Sequence, residues 1–367
     1  MKLKYRPAKK SDIPALVSLE NASFEYDRLT EKNFKYFIDL SHGDILVQED
    51  AGRITGYGVL LFHKGTALAR LYSLAVDKNC RGKGLGRKLL AKLEQLAKER
   101  GSTYLRLEVK ASNSQAIGLY KSSGYRKFAL KKDYYQDHED AECFEKMIRK
   151  LSGKIIKGAK VPHYQQTTEF TCGPSSLLMA MKAHDKKIAL NREHELEIWR
   201  EATTIFMTSG HGGCGPHGLA LAAHRRGFRV ELYINSSAPL FVEGVRSQHK
   251  KEIIELVQRD FEKKIKRARI PVYKDEYDWE TIQDIFAEGG IPVLLISAYR
   301  LTESKAPHWI ALTAMEEEYI YFHDPEVYED QTPVDNINIP VRRDEFEMMA
   351  KFGSRQLKSI VAVYPSD

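Results

Sequence analysis

The segment Leu74-Ala75-Val76-Asp77-Lys78-Asn79-Cys80-Arg81-Gly82-Lys83-Gly84-Leu85-Gly86 decides how the first half of the chain folds. An apolar run stops at Val76 and glycines recur at 82, 84 and 86. Residues 86–100 then place Leu89, Leu90, Leu93, Leu96 and Ala97 on one helical face. The order is strand, glycine-rich turn, helix. Such a turn leaves backbone N–H groups free, lets a phosphate approach closely, and adds the partial positive charge of a helix N-terminus. Arg81, Lys83 and Arg87 add full charges at the same place.

Working outward, residues 3–6 read as a short strand, and Ser11-Asp12-Ile13-Pro14 opens a helix with a cap and an early proline. Residues 45–48, 54–62 and 67–76 read as successive apolar strands. A strand over 104–109, a helix over 114–122 and a strand near 143–148 complete the first 150 residues.

This order, with Leu107-Glu108-Val109, Asn113, Leu119-Tyr120 and Gly124-Tyr125 after the glycine turn, resembles the GNAT N-acetyltransferases. The likeness is nearest to the branch that acetylates the N-terminal alanine of a ribosomal protein. It rests on Leu107-Glu108-Val109-Lys110-Ala111-Ser112-Asn113 and on the tyrosine pair in Asp133-Tyr134-Tyr135. The resemblance implies a mixed central sheet with helices on both faces and acetyl-CoA as cosubstrate. It implies backbone contacts to the pantetheine arm at Leu74 and Val76. The pyrophosphate would sit on Arg81, Gly82, Lys83, Gly84, Leu85 and Gly86, with a further cofactor contact at Asn113. It makes Tyr120 the acid that protonates the departing thiolate and Glu108 the base that takes a proton from the amine, directly or through water.

Ser152-Gly153-Lys154-Ile155-Ile156-Lys157-Gly158-Ala159-Lys160 breaks the alternation with small and basic residues, so 151–160 reads as a short linker. Beyond it, Gln166 is followed by Thr171-Cys172-Gly173-Pro174-Ser175-Ser176 and a helical run, Leu177-Leu178-Met179-Ala180-Met181. Cys172 is thus expected at a helix N-terminus, where the dipole favours a thiolate. A nucleophilic thiol needs a base, and the base an orienting acceptor. His308 begins the apolar segment Trp309-Ile310-Ala311-Leu312-Thr313, and Asp324 ends Tyr319-Ile320-Tyr321-Phe322-His323-Asp324-Pro325. Antiparallel pairing through Met315-Glu316-Glu317-Glu318 would set His308 beside Asp324. Gln166 would donate its amide to an oxyanion. Gln165 competes with Gln166 for that role, and His323 with His308.

Q-x5-C-G, then H-W, then H-D-P, over roughly residues 160–325, resembles the bacteriocin-processing double-glycine peptidases and their papain-like relatives. The resemblance implies Cys172 as nucleophile, His308 as base, Asp324 as orienter and Gln166 as oxyanion donor. The chain is therefore expected to be an α/β and α+β two-domain protein, with a GNAT fold over 1–150 and a papain-like fold over 161–367. No exporter-type transmembrane segment or G-x-x-x-x-G-K-[ST] cradle accompanies the second half. The stretch between Ala189 and Phe286 instead reads as an insert with long helices, which weakens a double-glycine leader as substrate.

His211-Gly212-Gly213-Cys214-Gly215-Pro216-His217 offers three potential ligands, but H-x2-C-x2-H leaves a zinc site one ligand short. The glycines read instead as a loop entering a helix over 219–225, and no metal is expected.

The 367 residues are 43% hydrophobic and 29% charged, an ordinary globular composition with length for two cores. No apolar run spans a bilayer, Met1-Lys2-Leu3-Lys4-Tyr5-Arg6 leads into no signal-like apolar region, and four scattered cysteines form no C-x-x-C pair. These features point to the cytoplasm. The net charge of +7 suits an acidic partner. The basic run Lys263–Arg269 has no aromatic interleaving and follows a buried stripe of Ile254, Val257, Phe261 and Ile265, which argues for a solvated helix face and against nucleic acid.

The expected function is bifunctional: acetyl transfer from acetyl-CoA to an amine, and peptide-bond cleavage through Cys172, with a peptide or protein as substrate. Two alternatives keep the fold. In one, an amine resolves the acyl-enzyme, giving ligation or transpeptidation. In the other, the second half only binds a peptide and presents it.

Overall fold

The computed structural model describes residues 3–40, 42–149, 155–204, 212–242, 245–328 and 331–366. The chain divides into two units, Met1–Leu151 and Ser152–Asp367.

The first unit runs β1 (Leu3–Pro7), α1 (Ile13–Ser23), α2 (Glu31–Asp39), β2 (Gly43–Asp50), β3 (Arg53–Phe62), β4 (Leu68–Val76), α3 (Leu85–Glu99), β5 (Tyr104–Lys110), α4 (Ser114–Ser122), β6 (Arg126–Lys131) and β7 (Ala141–Met147). Its sheet has the order β1-β2-β3-β4-β5-β7-β6, antiparallel except for the parallel β4–β5 pair. Strand alternation sends apolar side chains to both faces. Leu46, Leu60, Leu71 and Leu107 meet Leu89, Leu90 and Leu93 of α3 on one side. Ile45, Val47 and Val59 meet Leu16 of α1 and Phe34 and Phe37 of α2 on the other. The mixed sheet with helices on both faces is the GNAT arrangement expected above. Two elements went unread in the sequence: α2, opened by a Thr30–Asn33 capping box, and the edge strand β6.

The second unit runs β8 (Ile156–Lys157), α5 (Cys172–His184), α6 (Arg192–Ala202), α7 (Pro216–Arg225), β9 (Arg229–Ile234), α8 (Gln248–Ala268), β10 (Val272–Tyr273), α9 (Trp279–Ala287), β11 (Ile291–Ser297), α10 (Tyr299–Thr302), β12 (Pro307–Met315), β13 (Tyr319–His323), β14 (Ile339–Arg342), α11 (Arg343–Met349) and β15 (Ser359–Tyr364). The strands order as β10-β9-β15-β11-β12-β13-β14, and β8 pairs with β12 at Ala314 and Met315, beyond the reach of β11. This is a second domain of mixed α/β content. Val293, Leu295, Trp309, Ala311, Val361 and Val363 face α5 and α7, while Leu294, Ile296, Ile310, Leu312, Ile360 and Ala362 face α9 and α11.

Two readings change here, those of the linker and of the insert. Ile156–Lys157, placed in the linker, form a strand, and an added Cβ at Gly158 would lie 2.6 Å from Ile291 Cδ1. Residues 150–154 lie outside the described residues. The stretch 189–286 is not an appended insert, because its β9 pairs with β15 inside the sheet and α7 packs on that sheet. The C-terminal tail supplies β15, which lies between β9 and β11. One cause hid both β9 and β15. An apolar run of six residues carries no period that separates an internal strand from a short helix or tail.

Candidate active sites

In the first unit the glycine turn is built as its spacing requires. Gly82 and Gly84 sit at φ 76° and 72°, left-handed positions that disfavour a side chain, and Gly84 caps α3. The first N–H groups of α3 therefore face outward without intrahelical partners. β4 and β5 pair only as far as Leu71–Leu107 and then separate. The Asp77 N–H donates to Thr55 O, so antiparallel alternation turns the backbone groups of Val76 and Leu74 away from β3, toward that gap.

The gap opens into a cleft of about 640 Å³. Leu74, Val76, Arg81, Gly82, Gly84, Leu85, Gly86, Asn113 and Tyr120 all line it. Lys83 does not; its Nζ reaches back to Asn79 O at 3.5 Å. Arg81 folds over the turn, its Nε donating to Val76 O at 3.1 Å. The Asn113 carboxamide oxygen caps α4 through the Ala116 N–H. Ser23, missed in the sequence, also lines the cleft, and its buried Oγ has no partner among the described residues.

Tyr120 packs edge-on against Tyr125 and tilted against Phe144, with burial pushing its hydroxyl well above the usual tyrosine range. Glu108 stands apart from the cleft lining. Its carboxylate accepts from Arg70 Nε at 2.9 Å and Lys131 Nζ at 2.8 Å, and Arg70 also donates to the Tyr134 hydroxyl at 2.6 Å. Each carboxylate oxygen of Glu108 thus carries one cation and keeps a second lone pair. Tyr135 connects the two regions: burial raises its pKa first, and then the neighbouring Glu108, Tyr134, Tyr120 and Asp27 raise it further.

In the second unit Cys172 is the first residue of α5. The helix is pinned to β12 by Ser176 Oγ, which donates to Trp309 O at 3.0 Å, beside His308. Gly173 is needed for this approach, since an added Cβ would come 3.1 Å from Leu219 Cδ1 and 3.2 Å from Trp309 Cδ1. Trp309 Nε1 in turn donates to Cys214 O at 3.1 Å.

His308 Nε2 donates to Asp324 Oδ1 at 2.7 Å, both side chains being buried. Asp324 is fixed by the Glu326 N–H on the same oxygen at 2.9 Å and by His163 Nε2 on its carbonyl at 2.8 Å. With Nε2 engaged, Nδ1 is the free face of the ring; Glu326 Oε2 lies 3.6 Å from it, and Cys172 is near enough to influence the imidazole. Burial alone would lower the His308 pKa. The Asp324 charge and hydrogen bond, followed by Cys172, outweigh it and hold His308 well above its ordinary value.

The competing residues separate cleanly. His323 is committed at both nitrogens, donating from Nε2 to Val161 O at 3.0 Å and accepting at Nδ1 from the Asn338 N–H. Gln165 is exposed, whereas Gln166 is half-buried, its N–H donating to Pro325 O at 2.8 Å next to Asp324. Gln166 Oε1 is buried with no partner among the described residues. Cys214 is buried, which pushes its thiol up, and Cys172 lies close enough to add to that. Among the described residues no group of three or more His, Cys, Asp or Glu could hold a metal; His211 of the zinc reading lies outside them.

The His308–Asp324 geometry makes a pH prediction. Changing Asp324 to Asn removes the influence that raises His308, so burial takes over and the imidazole loses its proton at lower pH. Alkylation at Cys172, located by peptide mass to separate it from Cys80, should then be slower at pH 6, where the wild-type imidazole is still protonated and the variant's is not. The gap should narrow toward pH 9, and superimposable pH–rate profiles would count against the coupling.

Residues 13–125 match the acetyltransferase (GNAT) family, and residues 161–364 match the Peptidase_C39 like family. A [ribosomal protein bS18]-alanine N-acetyltransferase of Salmonella typhimurium is 45% identical over 76 residues, which are 20% of this chain and 51% of the relative. The match thus spans about half the length of that relative. A protein of Bacillus subtilis named "Putative [ribosomal protein bS18]-alanine N-acetyltransferase" is 31% identical over 132 residues, covering 35% of this chain and 85% of the relative. The crystal structure of the ribosomal-protein-S18-alanine N-acetyltransferase from Escherichia coli aligns with a TM-score of 0.38 at 27% identity, covering 41% of this chain and 96% of that one. Among the described residues no helix is long and apolar enough to cross a membrane. Through residues 161–364 the chain belongs to the Peptidase_C39 like family, and residues 13–125 place its N-terminal unit in the acetyltransferase (GNAT) family.

Proposed function

We propose that the chain is a bifunctional peptide-modifying enzyme, transferring acetyl from acetyl-CoA to an amine in its first unit and breaking a peptide bond through Cys172 in its second. The observation that carries the second activity is His308, held by Asp324 on one ring nitrogen at 2.7 Å and close enough to Cys172 to be raised by it.

The first cleft fits an acyl-CoA. It has a left-handed glycine turn at a helix N-terminus, backbone groups of Leu74 and Val76 along an unpaired strand edge, and the unpartnered Ser23 Oγ. When bound, acetyl-CoA supplies an activated acyl thioester. Arg81 and the α3 N-terminus would hold its diphosphate, and Tyr120 would protonate the leaving sulfur. Glu108 would accept the ammonium proton on a remaining lone pair. A peptide N-terminus is the acceptor favoured by the relatives, whose names describe acetylation of a ribosomal-protein alanine.

At the second site, the proton shared by Cys172 and His308 rests on the imidazole as sulfur attacks the carbonyl carbon. The oxyanion receives the Gln166 amide and the Cys172 N–H at the start of α5. His308 then protonates the departing amine, leaving an S-acyl thioester; the now neutral imidazole takes a proton from water as its oxygen attacks that carbonyl, and the C–S bond breaks to release the acid and the Cys172 sulfur.

One observation favours an amine in place of water. The Glu326 carboxylate lies 3.6 Å from His308 Nδ1 and is partly exposed, a position suited to an incoming ammonium. Product masses with and without added amine separate hydrolysis from ligation.

The purified chain should release CoA from acetyl-CoA only with an amine acceptor, and Cys172 should be labelled by an acyl electrophile. Absence of both reactions would remove the proposal, and labelling without any peptide turnover would leave a peptide-binding module.

A further inference from the structure

Glu195, on α6, is a fully buried carboxylate. Its four donors all come from the segment that leads into Cys172. Tyr164 Oη, the Thr167 N–H and Thr167 Oγ1 donate to it, each at 2.8 Å, and Thr171 Oγ1 donates as well. Burial, then the bond to Glu195, raises the Tyr164 hydroxyl, which keeps it a donor. A buried carboxylate costs several kcal/mol to desolvate unless such donors surround it, so carboxylate and segment hold each other in place.

The geometry bears on one side chain above all. Gln166 is tied through its own N–H to Pro325 O, and the next N–H, of Thr167, is tied to Glu195. Two consecutive peptide units are thus anchored, one beside Asp324 and the other on α6. The Gln166 carboxamide oxygen has no partner among the described residues, so these backbone anchors set where the amide stands. An oxyanion donor works only when held within about 0.5 Å of its productive place.

We propose that Glu195 is a positioning residue for the acyl-transfer site, fixing the Gln166 donor and the approach to Cys172 by clamping residues 164–171. The proposal rests on the acyl-transfer reading of Cys172. Glutamine at position 195 turns an N–H₂ toward groups that themselves donate and removes the charge from every bond.

The test compares two rates in the full chain: turnover of an activated peptide ester, which passes through an oxyanion, and iodoacetamide alkylation of Cys172, which does not. Glu195→Gln is expected to lower ester turnover by about 10²-fold, the scale of a lost oxyanion donor, with alkylation changed less than about threefold. The double variant Glu195→Gln, Gln166→Ala should be no slower than Gln166→Ala alone, since both remove one contribution. Thr167→Val, at an exposed residue, removes a single bond and should lower turnover several-fold in the same way.

Equal losses of turnover and alkylation in Glu195→Gln, additive losses in the double variant, or unchanged turnover in Thr167→Val would each overturn the inference while leaving the Cys172 reading intact. A wild-type chain that turns over no ester would overturn both.

Discussion

Replacing Cys172 with alanine is expected to lower peptide turnover by at least about 10⁴-fold while acetyl transfer continues at the wild-type rate. The loss is large because the sulfur is the bond-forming atom, and neither His308 nor Gln166 has another nucleophile to serve. The fold should survive. Cys172 is the first residue of α5, and that helix is held by Ser176 on Trp309 O and by the close packing of Gly173, neither of which involves the sulfur. Cys214 cannot substitute, since it is buried and burial pushes its thiol away from the reactive form. Turnover within about tenfold of wild type would mean that Cys172 is a structural cysteine.

Replacing Tyr120 with phenylalanine is the second large effect. The ring keeps its contacts with Tyr125 and Phe144, so acetyl-CoA binding should change little, while kcat for acetyl transfer should fall by about 10²–10⁴-fold, the usual range for a lost general acid. The pH dependence has a definite sign. The working form is the protonated phenol, and burial raises its pKa above the ordinary value of about 10. Alkaline pH therefore should not remove the acid, and the wild-type kcat profile should show no Tyr120 descending limb below about pH 10. A descending limb near pH 8 that disappears in Tyr120→Phe would contradict the assignment, as would an unchanged kcat.

Much of the geometry of these candidate sites was legible where sequence neighbours are also spatial neighbours. The glycine turn, the α3 stripe and the cap at Asn113 are local, and periodicity and spacing exposed them. His308 and Asp324 were legible because a hairpin brings its two strands together over a short loop. Edge strand β6, Arg126–Lys131, escaped because its largely exposed residues carry little apolar alternation. Short α2 escaped because only Phe34 and Phe37 are buried.

Pairings between distant segments were not legible. Nothing in the order of residues ties Glu195 to Thr167 and Thr171, or Ser23 to a cleft shared with Tyr120. Glu108 had the right residue type on the right strand, but its two cations come from β4 and β6, elements that only the folded sheet brings beside it. Gln166 and Gln165 were inseparable until the Pro325 carbonyl fixed one of them beside Asp324.

The central claim is that one chain carries two separable chemistries. Mass analysis of a peptide incubated with acetyl-CoA and wild type, Cys172→Ala or Tyr120→Phe tests it directly. The account predicts a cleaved product that disappears only in Cys172→Ala and an acetylated product that disappears only in Tyr120→Phe. Products that persist in both variants, or that vanish together in either one, would contradict it.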